Sequence, residues 1–418
     1  MSDRRTGRTA VTGIGVIAPN GLRADTYWKS VKEGVNVLDR ITREGCGHLP
    51  LSVAGEVRGF DPSAFIEETY LVQTDRFTHF AMAAAGAALD DAGLSGAAAD
   101  SPYSVGVVTA AGSGGGEFGQ RELQKLWGQG SRFVGPYQSI AWFYAASTGQ
   151  ISIRSGFKGP CGVVASDEAG GLDAVAHAAR TVRRGVDAVV VGAAEAPLAP
   201  YSMVCQLGYP ELSTVGDPAT AYRPFTAAAC GFVPAEGGAV LVVEDADRAH
   251  RRDAAVRATV DGHAATFTGA ARWDRSREGL ARAIRGALDE AGCAPEEVDV
   301  VFADALGVPE ADRAEALALS DALGRHGARV PVTAPKTGIG RSYCGAPLLD
   351  IAAAVMAMEH GQIPPTPNIF DVCHDIDLVT STARPAELRT ALVLSRGLMG
   401  SNAALVLRRG PGRTARNA

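Results

Sequence analysis

The chain has 418 residues, 46% of them hydrophobic, and a formal net charge of −6. That length admits two or three ordinary domains or one large duplicated one, and the apolar share is enough for a sizeable core. The acidic balance, with no basic stripe, excludes an ordinary nucleic-acid binder.

Seven cysteines, at positions 46, 161, 205, 230, 293, 344 and 373, are odd in number and lack C-x-x-C spacing. This points to free thiols in a reducing, cytoplasmic setting and gives no sign of a zinc site. Met1 to Arg8 is polar and basic with no apolar core after it, so it does not read as a signal peptide. No run of about 18 apolar residues suggests a membrane span.

Ala10 to Ile17 reads as an apolar strand, and Asp25 to Lys32 as a helix capped by Asp25. Ser52 to Val57 suggests another strand. Gln73 to Leu94 is a long Ala-rich helix, apolar on nearly every face, as expected of a helix buried against a sheet. After a strand at Tyr103 to Ala110 comes Gly112-Ser113-Gly114-Gly115-Gly116-Glu117-Phe118-Gly119. It resembles a phosphate loop loosely but lacks the Lys-Ser/Thr pair and the dinucleotide spacing, so a close-packed turn is expected.

The stretch GPCGVVASDEAGGLDA, Gly159 to Ala174, carries the most information. Val163 to Ala165 forms a short apolar run read as a buried strand. Ser166 and Asp167 stop it, and helical period starts at Leu172. Such an elbow lifts one side chain above the carboxyl end of a strand, at the positive end of a helix dipole. The side chain lifted here is Glu168.

The helix should run from Leu172 to Arg184, followed by strands at Asp187 to Val191 and Ala239 to Val243. Asp245 to Arg252 is charged and reads as a crossover. The second half repeats the alternation: strand Val256–Asp261, helix Glu278–Ala291, strand Val298–Phe302, helix Asp312–Leu323, helix Leu348–Glu359, and strands near Ala391 and Ala404. The small-residue helix entry at Gly170-Gly171 has an echo at Gly345-Ala346. Two such halves, 1–252 and 253–418, suggest a duplicated layered α/β fold.

With AYRPF, GFVPAEGGAVLV and APKTGIG downstream of the elbow, the chain resembles the β-ketoacyl synthases of the thiolase superfamily. EFGQRELQKLW and YQSIAWFYAASTGQISIR make it most similar to the chain length factors, the ketosynthase-like β subunits of type II polyketide synthases. The resemblance covers nearly the whole chain and implies a five-layered αβαβα thiolase fold. A condensing member uses an elbow cysteine, two histidines and a lysine. By motif those positions fall here on Glu168, Asp304 (in ADALGVP), Arg341 (after PKTGIG) and Lys336. Asp312 and Glu315 also match the family pattern.

Three of the four chemical groups are thus replaced. A thiolate makes a good thioester acceptor, whereas a carboxylate would give a mixed anhydride. An anionic Asp304 would repel developing negative charge where the family's histidine donates a hydrogen bond. Related subunits usually carry glutamine at the elbow. Glu168 could imitate that amide if protonated, or pair with Arg341 or Lys336 if ionised. Ion pairing is favoured, because two cations map to the same pocket.

Cys161 and Cys344 are expected to be buried and inert, and His79 and His177 to be packed core histidines. In chain length factors, side chains of the EFGQREL helix line an acyl tunnel, and the resemblance places the gating positions on Gly116, Gly119 and Leu123. Two glycines imply a long tunnel.

The expected partners are an active ketosynthase α subunit, in a heterodimer, and an acyl carrier protein that presents the chain on phosphopantetheine. No cofactor is expected to be bound. The interface is expected within Tyr103 to Ala165, especially at Phe118, Leu123, Trp127, Tyr137, Trp142 and Tyr144. The competing reading is a stand-alone malonyl-acyl carrier protein decarboxylase using Glu168 and Lys336.

Overall fold

A computed structural model describes residues 8–95, 101–269 and 273–412. Most of the polar amino terminus, Met1 to Gly7, therefore lies outside the described residues.

Eleven strands form one twisted sheet. They are β1 (Thr9–Ile17), β2 (Val105–Ala110), β3 (Cys161–Val164), β4 (Ala188–Glu195), β5 (Gly237–Asp245), β6 (Val256–Phe267), β7 (Val300–Phe302), β8 (Pro331–Thr333), β9 (Asp377–Leu378), β10 (Thr390–Arg396) and β11 (Ser401–Gly412). Their order across the sheet is β9-β8-β7-β10-β11-β6-β1-β5-β4-β2-β3. β1 and β6 pair antiparallel through Thr9–Val11 and join two halves of matching design.

In the first half β1, β5 and β4 run antiparallel in turn, then β4, β2 and β3 run parallel. In the second half β6, β11 and β10 run antiparallel, then β10, β7 and β8 parallel. The same order and the same pattern of directions, twice, is a duplicated fold.

Seven of the helices among the described residues matter most for the site: α1 (Arg76–Ala92), α2 (Gly116–Gln129), α3 (Gly170–Arg183), α4 (Pro200–Gln206), α5 (Trp273–Ala291), α6 (Pro309–Leu323) and α7 (Gly345–His360). α1 packs on β1, β5 and β4, and α5 on β6 and β11, with α6 beside α5. α3 and α7 lie between the two half-sheets and touch strands of both. The layers are therefore αβαβα.

α7 is buried from Gly345 to Met358, which explains its apolar character on every side. α3 and α7 approach so closely that a Cβ on Gly171 would lie 2.5 Å from the Cys344 carbonyl oxygen. Only a glycine fits that crossing.

Several expectations need correction. The strand expected over Ser52–Val57 shrinks to Val53–Ala54. The helix expected from Asp25 begins at Ala24, with Arg23 at the N-cap and Asp25 in the first turn. The charged crossover contains a short helix, Ala246–Arg251, capped by Asp245. The strand leading to the elbow, β3, is not buried. It is the sheet's outer strand, and Cys161 is exposed. A short apolar run cannot distinguish a central strand from an edge strand, since both read the same in one dimension.

Candidate functional site at the elbow

The elbow forms where β3 ends. Asp167 adopts φ +60°, a left-handed conformation that aspartate tolerates better than most residues. Its carboxylate is fixed by the Met399 N–H at 2.7 Å and the Ser401 hydroxyl at 3.0 Å. The Ser166 hydroxyl donates to Asp173 in the first turn of α3 at 2.6 Å, locking the turn to the helix. Glu168 is thereby turned inward and is 5% exposed, with Oε2 accepting the Leu398 N–H at 2.8 Å.

Burial raises the Glu168 pKa well above the ordinary carboxyl range, and the neighbouring Asp167 carboxylate pushes it the same way. Burial thus favours the protonated form of Glu168, whose Oε2 accepts from the Leu398 N–H as a glutamine carbonyl would.

The expected ion pair with Arg341 or Lys336 does not form, because both cations are taken. Arg341 Nη2 lies 2.8 Å from Asp304 Oδ1, and its guanidinium also donates to the Asp304 and Arg396 carbonyls. Lys336 Nζ lies 2.5 Å from Asp350 Oδ2 and donates to the Ala303 carbonyl at 2.9 Å.

Asp304 and Arg341, expected from the motifs to stand at the two histidine positions, thus hold each other. Arg396 completes the cluster. It meets Asp304 with both its backbone N–H, at 2.9 Å, and its Nε, at 3.1 Å, and Glu315 with Nη2 at 2.8 Å. Glu315 in turn accepts the Asp304 and Ala305 N–H groups. Asp312 accepts the Phe225 and Gly307 N–H groups at 2.9 and 3.0 Å.

Burial alone would raise Asp304, but Arg341, Arg396 and Lys336 outweigh it and hold the group down at about 2. Asp304 is a fixed anion. Arg396 escaped the sequence reading. The available signal was a surplus of core carboxylates, Asp304, Asp312 and Glu315, beyond what Arg341 alone can balance.

The cysteines offer no substitute nucleophile at the elbow. Cys344 is fully buried, burial pushes its thiol well above the usual range, and it donates to the Asp167 carbonyl at 3.1 Å. Cys161 is exposed rather than buried, far back at the start of β3. His79 is half-buried, and His177 is exposed on α3 rather than packed in the core. Among the described residues, no group of His, Cys, Asp and Glu could hold a metal ion.

A cavity of about 440 Å³ opens beside Glu168, walled in part by Gly116, Ser202, Cys205, Tyr209, Tyr343 and Cys344. The structure brings Glu168 and Gly116, 52 positions apart in the chain, into this one space. Lys336 is not among the residues that line it and is engaged instead by Asp350 and the Ala303 carbonyl.

A side chain on Gly116 would enter the space held by the Ser202 hydroxyl on α4. Gly119 is buried and faces Trp142, 3.7 Å from a would-be Cβ to the Trp142 Cβ. Leu123 is 38% exposed at the surface. The glycine-rich turn before α2 is close-packed, as expected. A Cβ on Gly114 would lie 2.6 Å from the Trp142 carbonyl oxygen. Glu195, at the end of β4, ties the turn down by accepting the Gly112 N–H at 2.5 Å and the Ser113 hydroxyl at 2.7 Å.

Near α2 the surface is aromatic. Trp127, Trp142, Tyr144 and Tyr137 are exposed, Trp127 at 83%. Phe118 is not among them. It is buried, with the Arg121 guanidinium 5.3 Å from its ring centre.

Comparison with known proteins matches residues 7–249 to the family model of the Beta-ketoacyl synthase, N-terminal domain, and 257–370 to that of the C-terminal domain. A polyketide beta-ketoacyl synthase 2 of Streptomyces cyaneus is 86% identical over 98% of each chain. The tetracenomycin polyketide synthase ketoacyl synthase beta subunit of Streptomyces glaucescens is 50% identical, covering 96% of this chain and 98% of the relative. Among solved structures, the ishigamide ketosynthase/chain length factor superposes with a TM-score of 0.86 at 27% identity over 96% of this chain and 99% of that one. A beta-ketoacyl synthase from Burkholderia phymatum gives 0.88 at 26%, over 97% of this chain and 100% of that one.

Proposed function

We propose, from the premise that this chain belongs to the β-ketoacyl synthase family, that it is the non-condensing chain length factor of a type II polyketide synthase. It pairs with an active ketosynthase subunit, which supplies the condensing residues. This chain contributes part of the wall of the acyl tunnel. The growing chain arrives on the phosphopantetheine arm of an acyl carrier protein docked at the partner.

The single observation that carries this reading is the division of the site. The positions that motif resemblance equates with the condensing residues are filled by a buried Glu168 and an Asp304–Arg341–Arg396–Glu315 ion cluster, yet open space remains between the elbow and Gly116. A site that only needed to stay folded could fill that space with side chains. A tunnel wall needs it open.

Pairing is supported by the exposed aromatics around α2, a composition suited to a large interface, and by β3, an outer strand of the sheet with a free edge. The relative from Streptomyces glaucescens is named as a beta subunit, and the ishigamide structure joins a ketosynthase to a chain length factor.

Assaying elongation and malonyl decarboxylation for the chain alone and with a ketosynthase partner tests the assignment. Elongation should need the partner. A lone chain that forms a stable homodimer and releases carbon dioxide at a useful rate would instead establish the decarboxylase.

A further inference from the structure

The tunnel reading places a wall at Gly116, the first residue of α2, and that helix has an unusual beginning. Its N-cap is Gly115, which has no side chain to accept the first free N–H groups. Nothing larger than glycine fits at position 115, because a Cβ there would run into the Ala141 carbonyl oxygen. The helix therefore cannot carry its own cap.

The missing acceptor comes from elsewhere in the chain. Asp75 caps α1 with Oδ1, which takes the Phe77 N–H at 3.1 Å. Its other oxygen, Oδ2, takes the Phe118 N–H at 2.7 Å. Phe118 is the third residue of α2, the position whose N–H a cap normally satisfies. Asp75 is 1% exposed. One buried carboxylate thus caps two helices, and its negative charge sits at the positive end of both dipoles.

We propose that Asp75 is a positioning residue for the acyl tunnel, holding the first turn of α2, and with it the wall at Gly116, at a fixed distance from the sheet. The inference rests on the tunnel reading of α2. Asp75 can do this because it stands at the start of α1, which packs directly on β1, β5 and β4.

Two further ties complete the placement. Glu195 anchors the turn before α2 from the end of β4. Gln120, one turn into α2, accepts the Tyr201 N–H at 2.7 Å and sets the spacing to α4, whose Ser202 faces Gly116. Of the three, only Asp75 acts on the turn that contains Gly116 itself. A wall displaced by a fraction of an ångström to an ångström changes where a growing chain stops fitting.

The test uses the heterodimer with its ketosynthase partner and reads the distribution of product lengths. Asp75→Ser is informative because serine caps α1 as well as aspartate does, while its single, shorter hydroxyl cannot also serve Phe118. The share of off-length products should rise at least about twofold over wild type, with heterodimer yield and melting temperature near wild type.

Gly116→Phe is run beside it. If Gly116→Phe shifts the length and Asp75→Ser leaves the distribution unchanged, the positioning role is overturned while the tunnel stands. If neither shifts it, the tunnel reading fails first and the positioning role with it. Should Asp75→Ser not fold, amide hydrogen exchange on the wild-type heterodimer decides. A Phe118 N–H protected to the level of the α1 interior supports the cap, and one exchanging like a frayed helix start overturns it.

Discussion

Arg396 Nε lies 3.1 Å from Asp304 Oδ2 while the Arg396 backbone N–H lies 2.9 Å from Asp304 Oδ1. Both carboxylate oxygens are therefore engaged by one residue, and Arg341 takes a further position on Oδ1. Asp304 and Arg341, the positions that motif resemblance equates with the histidines of a condensing relative, are thus paired with each other.

Breaking this cluster should cost stability. Arg396→Met keeps much of the buried volume but leaves Glu315 without its cation and Asp304 with Arg341 alone. Removing one member of a buried ion pair costs about 3–5 kcal/mol, because the remaining charge stays desolvated. Urea unfolding of the heterodimer should show a loss of that size. A loss below about 1 kcal/mol would mean the charges are far better hydrated than their burial indicates.

Glu168 has a titration signature. Its folded pKa is raised by burial and by Asp167, so the folded state holds a proton that the unfolded chain releases. That contribution to stability is complete below the unfolded value, in the ordinary carboxyl range, and is lost as pH rises toward the folded pKa. Glu168→Gln supplies the same donor and acceptor without a proton to release. The melting temperature of wild type relative to Glu168→Gln should therefore fall as pH is raised from about 4.5 toward 8. A difference that does not change with pH would show that Glu168 is ionised in the folded protein.

Restoring the nucleophile should not restore condensation. Glu168→Cys places a thiol at the elbow, but Asp304 stays tied to Arg341 and Arg396, and both Nη atoms of Arg341 are held by Asp304 and Arg396 oxygens, leaving only Nε without a partner. A guanidinium tied to an anion stabilises an oxyanion poorly. The variant chain alone should give no elongated product above background from malonyl and acyl carrier protein thioesters. Measurable condensation would show that the ion cluster opens during turnover.

The sequence made the alternation of strands and helices and the turn at the elbow legible, because each depends on short-range pattern. It could not settle which cation Glu168 meets. Arg341 is equally available in one dimension to Glu168 and Asp304, and only the folded chain shows it on Asp304, where the pairing of β7 with β10 also brings Arg396. The double cap by Asp75 was hidden for the same reason. A carboxylate at a helix start is an ordinary signal, and its second partner lies 43 residues away. Phe118 shows the limit of composition, since it belongs to an aromatic stretch yet turns inward while Trp127 turns out.

The most direct test of the account is the product made by a heterodimer carrying Gly116→Phe. The phenyl ring must displace the Ser202 hydroxyl or extend into the cavity beside Glu168, and either outcome narrows the space between α2 and α4. The account predicts polyketides shorter by one or more extension units, made by a complex that still assembles and turns over. A product of unchanged length from that assembled complex would contradict it.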